Sequence, residues 1–254
     1  MVPTSIILSL FVSGLLEIAI PIALALYVAK RLGGRLGAFL IGGILFLVSL
    51  IRIPLNTVAS AWIVANLSGQ SLTLLTIAFP SLTAGIFEEG IRWVGLRFLV
   101  KDRKVEAGIM YGVGHGGFES IFYVGATVLS TAFAVWLYPQ IVPPALMATI
   151  AALPVWEPLV GVYERIFAIS FHIGMSVLVL HSIIEGKPIY LGAAMAAHFL
   201  LDFTSVYMIQ FGIFVPEVVV TIFGAAALYY VLREGGKGRQ EPSLTSAMPP
   251  PVTG

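Results

Sequence analysis

Glu88, Glu89 and Arg92 interrupt a long apolar run. Two adjacent carboxylates and a guanidinium are costly within a bilayer, so such a cluster points to a functional site. Later apolar runs carry more ionisable groups. His115 and Glu119 are four residues apart, as are His198 and Asp202, and His172 follows Glu164 and Arg165. Residues four apart share a helix face. With Glu88 at 0° on a helical wheel of about 100° per residue, Glu89 falls at about 100° and Arg92 at about 40°. Arg92 is therefore expected to brace both carboxylates, leaving them free for different roles. Asp202 is expected to hold His198 in one tautomer.

Two hydrolytic chemistries suit these residue types. In the first, Glu88 or Glu89 is the general base on a water, while His115 and His198 orient that water and stabilise the oxyanion on a scissile amide. In the second, His115, His172 and His198 coordinate zinc and a glutamate takes the proton. The metal-free form is the preferred expectation and zinc the alternative; Glu119 and His172 count with the site in both. Cysteine is absent, and no serine sits in a nucleophile elbow, so covalent acyl-enzyme chemistry has little support. His-x-x-x-Glu at His115 and Glu119 is not the zincin helix motif.

The elements that must position these groups are membrane helices. Hydrophobic residues make up 58% of the 254, charged residues 11%, and net charge is +1, with mean hydropathy +0.98. A soluble domain carries about 25% charged residues, so an all-α, polytopic membrane bundle is expected, without a nucleic-acid surface. Seven segments reach or approach the roughly 20 residues of a span: Pro3 to Ala29, Leu36 to Ile51, Leu72 to Val100, Val105 to Leu137, Pro158 to Ile184, Ile189 to Gln210 and Phe214 to Leu232. The first lacks a basic leader and a cleavage site and reads as a retained helix. Arg52 to Ser71, with Pro54, Asn56 and Asn66, reads as an external connection, and Tyr138 to Glu157, with four prolines, as a loop holding a short helix on or in the membrane.

Lys30, Arg31, Arg35, Lys101, Arg103, Lys104, Lys187, Arg233, Lys237 and Arg239 fall after the odd-numbered spans, and Arg52 is the exception on the other side. By the excess of basic residues in cytoplasmic loops, the N-terminus is outside and the C-terminus cytoplasmic. Residues 1–234 then form the transmembrane domain, with its functional core at 72–210, and 235–254 a disordered cytoplasmic tail. Counting along each helix at about 1.5 Å per residue puts Glu88, Glu89, His115, His172, His198 and Asp202 near the midplane, in one cavity expected to open toward the cytoplasm. The glycines around His115 allow close helix packing. Glu164 and Arg165 read as a separate pair nearer the outside, His181 as solvated, and Glu17 as either a cavity residue or a helix contact.

Together, Glu88-Glu89-x-x-Arg92, the run Gly112 to Glu119, Glu164-Arg165 with His172, and His198-x-x-x-Asp202 resemble the YhfC family of membrane peptidases. That family is remotely similar to the CAAX prenyl endopeptidases and bacteriocin-processing proteins, which are glutamic intramembrane proteases. The resemblance implies Glu88 as base, Glu89 as its partner, His115 as the second-helix histidine and His198 on the oxyanion side. Arg92 lies one residue early against that pattern, and Asp202 replaces an asparagine. A more distant likeness is to the non-catalytic scaffold subunit of γ-secretase, whose buried histidines are structural. The expected substrate is a membrane-embedded or lipidated peptide, in contact with membrane lipid, and the expected location a prokaryotic plasma membrane. Rival readings are a proton- or cation-coupled transporter, for which no inverted repeat is present, and a non-catalytic scaffold.

Overall fold

The computed structural model describes residues 1–237, which form helices and connecting turns. The helices are α1 (Thr4–Leu32), α2 (Leu36–Ser49), α3 (Arg52–Asn66), α4 (Gly69–Val94), α5 (Val105–Phe118), α6 (Ala126–Leu137), α7 (Pro144–Ala152), α8 (Pro158–Ile184), α9 (Ile189–Met208) and α10 (Phe214–Lys237). Seven stretches among the described residues are long and apolar enough to cross a membrane: Thr4–Leu32, Leu36–Asn66, Gly69–Leu99, Val105–Leu137, Pro158–Ile184, Ile189–Phe211 and Phe214–Gly235. Large apolar side chains such as Leu40, Ile44, Ile222 and Leu232 face outward, whereas Glu89 and Arg92 are fully buried. This distribution suits a bundle surrounded by hydrocarbon.

The largest departure from expectation is at residues 52–66. They form a helix that, after a turn at Leu50–Ile51, continues the second span. Pro54 is compatible with this because it lies in the first turn, where a backbone N–H has no helical partner. Asn56 accepts from the Thr83 hydroxyl of α4 at 2.8 Å, and Asn66 donates to the Trp62 carbonyl. The polar residues that suggested a connection therefore make helix contacts. The short helix expected within the proline-rich loop is α7. α10 extends through Lys237 and so takes up the first three residues of the expected tail; the rest of that tail lies outside the described residues.

α8 is the central helix: 67% of its most apolar window is buried, against 17–33% in the other six spans. α5 packs against it through positions where no side chain fits. A Cβ at Gly112 would stand 2.4 Å from Ile173 Cα, and one at Gly116 2.9 Å from the His172 ring. On α5's other flank, a Cβ at Gly114 would meet the Phe39 carbonyl of α2 at 2.0 Å. These approaches bring His115 and His172 to a ring separation of 5.0 Å.

The basic loops share one face of the bundle. Arg35, Lys101 and Lys104 border one surface depression, and Arg97 another beside the α8–α9 turn. His181, expected to be solvated, is half-buried here, with its Nδ1 2.5 Å from the Tyr230 hydroxyl of α10. At the opposite face the Ser9 and Ser13 hydroxyls donate to the carbonyls of Val155 and Pro158, and Trp156 stacks on Phe214.

Candidate active site

α4 supplies Glu88, Glu89 and Arg92 within one turn, yet the two carboxylates have different partners. Glu88 Oε1 accepts from Arg52 Nη2 at 2.8 Å, and its Oε2 lies 3.1 Å from His115 Nε2. Glu89 Oε2 pairs with Arg92 Nε at 3.0 Å, and its Oε1 lies 2.7 Å from His198 Nδ1. Arg92 therefore does not brace both acids. Its other nitrogens reach across to α8: Nη1 donates to the His172 carbonyl and the Ser176 hydroxyl at 2.6 and 2.7 Å, and Nη2 lies 3.0 Å from His172 Nδ1. The wheel placed Arg92 between the glutamates, but its long side chain extends toward acceptors on the neighbouring helix. The second cation comes from Arg52, the first residue of α3.

Donor rules assign the histidine protons. Arginine only donates, so His172 Nδ1 accepts, and its Nε2–H donates to Glu119 Oε2 at 2.7 Å. Glu119 in turn accepts from Arg165 Nη1 at 2.9 Å, and Arg165 also pairs with Glu164. Arg165 and Glu164 thus belong to the network rather than forming a separate outer pair. A π-helical stretch, Glu119–Gly125, begins at Glu119; that carboxylate partners α8 rather than His115. His198 Nδ1–H faces Glu89, which leaves Nε2 3.8 Å from both Glu88 Oε2 and Asp202 Oδ2. At 3.8 Å neither is a hydrogen bond. Glu89, and not Asp202, is the carboxylate that orients His198. Glu17 is a buried helix contact: the Ser120 hydroxyl donates to its carbonyl and its Oε2, both at 2.8 Å.

A cavity of about 320 Å³ adjoins this network. Glu88, His172, His198 and Asp202 line it, together with Arg52 and Arg165. From the glutamate layer it extends past Thr76 and Pro80 of α4, Ala168 of α8 and Ser205 of α9, away from the basic loops. This is the reverse of the expected opening.

A model of the YhfC intramembrane metalloprotease family matches residues 16–224. The chain belongs to the YhfC family. It is 29% identical over 253 residues to a Bacillus subtilis (strain 168) protein described as an uncharacterized membrane protein YhfC, covering 92% of this chain and 98% of that relative. No solved structure matches. With its seven spans, this YhfC protein is a multi-pass integral membrane protein. The family match includes every member of the charged network described above.

The family's description implies a metal, and the donor set fits one. Among the described residues, Glu88, His115 and His172 each offer a ligand atom, and these lie within 4.8 Å of one another. Two imidazoles and a carboxylate are a common catalytic zinc set. The group contains Glu88 where the sequence suggested His198. The carboxylate–histidine contacts that support ligands occur at Glu119–His172 and Glu89–His198, while buried His115 Nδ1 has no partner.

Arg52 is the residue that sequence reasoning missed. It is the one basic residue in the segments read as outer connections, and that anomaly is its only signal. Tyr111 was missed as well: one turn before His115, it is fully buried and stacks on that ring. Nothing in the sequence separates it from the apolar residues around it.

Proposed function

We propose that this YhfC protein is an intramembrane endopeptidase that hydrolyses a peptide bond at the Glu88 layer, with Glu88, His115 and His172 holding a divalent metal ion. The observation that carries this reading is the convergence of those three ligand atoms beside a polar cavity inside an apolar bundle. A bound zinc ion would supply an activated water and polarise the scissile carbonyl. The protein's own groups do the rest. Arg52 fixes the Glu88 carboxylate; Glu119 and Arg165 fix the His172 ring. His198, tied through Nδ1 to Glu89, presents the Nε2 lone pair beside Asp202, and this pair takes the proton from water and returns it to the leaving amine. The substrate is a membrane-embedded or lipidated peptide.

One observation favours a second, metal-free reading. The Nε2 proton of His172 goes to Glu119 and its Nδ1 lone pair is engaged by Arg92. A metal needs that lone pair, so binding requires Arg92 Nη2 to let go. In the metal-free reading Glu88 itself takes the proton from water, with His115 beside it.

Zinc analysis of detergent-purified protein, combined with chelation and re-addition during cleavage of a membrane peptide, separates the two. The metal reading expects zinc bound in proportion to protein, lost in His115→Ala, with activity that follows the metal. Full activity in a metal-stripped sample, abolished by Glu88→Gln, supports the second. Undiminished cleavage by both Glu88→Gln and His198→Ala sinks both.

A further inference from the structure

The two sides of the glutamate layer differ along α4, α8 and α9. Toward the basic loops the next side chains are Leu96, Tyr111, Val177, Leu180 and Ala194, all at 0% exposure. Arg92 and Ser176, hydrogen-bonded to each other, complete this floor. In the other direction α4, α8 and α9 line the polar cavity. Its walls are Thr76 and Ser81 of α4, Arg165 of α8, and Asp202 and Ser205 of α9. Proline at position 80 has no N–H to give the Thr76 carbonyl four residues back, so a backbone acceptor is left beside this space. Ser205 Oγ has no partner.

A second, larger space of about 610 Å³ lies between α1, α8, α9 and α10, nearer that same face. Most of its wall is apolar, including Leu10, Val128, Ile209 and Ile213, and it shares Glu164, Ser205, Val206 and Val220 with the polar cavity. The two spaces therefore adjoin: an apolar vestibule lies beside the polar chamber that reaches Glu88.

We propose that water and peptide reach the Glu88 layer only from the face opposite the basic loops, through this vestibule. The bond cut then lies at the Glu88 layer, and the substrate class is an apolar peptide segment inserted from that face. Because basic residues accumulate in cytoplasmic loops, this is the non-cytoplasmic face. The peptide part rests on the peptidase reading above; the water route does not.

The absence of cysteine makes a direct test possible. Thr76→Cys and Ser205→Cys, each the sole thiol in the full-length chain, are exposed in intact cells to a membrane-impermeant maleimide. Asp102→Cys, in the basic α4–α5 loop, and Ala194→Cys, in the floor, are the comparisons. The expected result is labelling of positions 76 and 205 in intact cells, of position 102 only after permeabilisation, and of position 194 only after denaturation. Labelling of 76 and 205 only after permeabilisation overturns the proposal. So does silence at both until denaturation, or labelling of 194 in the folded protein. Two cavity positions guard against a variant that fails to fold, which elution as an aggregate would reveal. Labelling does not depend on cleavage: the expected pattern without peptidase activity refutes the function and keeps the route. Cleavage with both cavity positions silent does the opposite.

Discussion

Below the glutamate layer, toward the basic loops, the bundle is a sealed floor; above it, the same helices enclose a chamber. On the floor side Arg92 ion-pairs with Glu89 and reaches the His172 carbonyl, His172 Nδ1 and Ser176 on α8, and Gly112 admits the α8 backbone; the Tyr111 hydroxyl is the buried group there without a hydrogen-bond partner. On the chamber side Asp202 makes no hydrogen bond among the described residues, His198 Nε2 has no partner within bonding distance, and Ser205 is unpaired. The lesson is a division within like residue types: the floor holds Arg92 in an interhelical network, whereas the chamber, beside the paired Arg52 and Arg165, keeps Asp202 and His198 Nε2 without a hydrogen-bond partner among the described residues.

This contrast is open to attack by mutation. The largest effect is expected on the floor. Arg92→Leu leaves Glu89 buried without its counter-ion, a loss of about 3–5 kcal/mol, read as a fall in thermal unfolding temperature in detergent. A variant as stable as its parent breaks the view that this network holds the floor. Next comes Asp202→Asn in the chamber. Peptide cleavage is expected to fall roughly 10²-fold, while stability stays within about 0.5 kcal/mol. A large stability loss with normal turnover would place Asp202 with the structural charges. Gly112→Ala forces a methyl group against Ile173 Cα and is expected to cost about 1–3 kcal/mol; chemical denaturation measures it.

The smallest effect is expected outside the membrane. The hydrogen bond from Lys187, and then that from Tyr190, holds the Glu185 carboxyl below its ordinary value in the α8–α9 turn. A lowered carboxyl contributes stability above its ordinary titration range, and that contribution disappears as pH falls through the lowered value. Lys187→Ala should therefore lower the unfolding temperature slightly at neutral pH, and the difference from the parent should vanish in acid. A difference that persists unchanged in acid would assign the effect to something other than this ion pair.

Much of the charged cluster is legible residue by residue: span counting alone puts Glu88, Glu89, His115, His172 and His198 at one depth, and the structure brings them together. Of the two partners the wheel gives Arg92, only Glu89 is met: a helical wheel ranks neighbours on one helix, whereas an extended guanidinium reaches acceptors on the next. Asp202 was assigned to His198 by the i, i+4 rule, yet Glu89, 109 positions away in sequence, makes the shorter contact at 2.7 Å. Arg52 was hidden because Pro54 and Asn56 are turn signals wherever helix-start geometry and an interhelical hydrogen bond are not in view.

The sequence by itself determined the apolar lengths of every span but the second, their alternation through the basic loops, and the common depth of the acids and histidines. These properties run along each helix axis, and hydropathy and a fixed rise per residue are enough to derive them. Only the tertiary structure decided which arginine meets which glutamate, that Glu88 rather than His198 lies with His115 and His172, and that the polar chamber extends from Glu88 away from the basic loops. Those outcomes depend on rotation about each axis and on lateral spacing between helices. Both are fixed by packing, through contacts such as Gly112 on Ile173 and Gly114 on Phe39, between residues far apart in the chain.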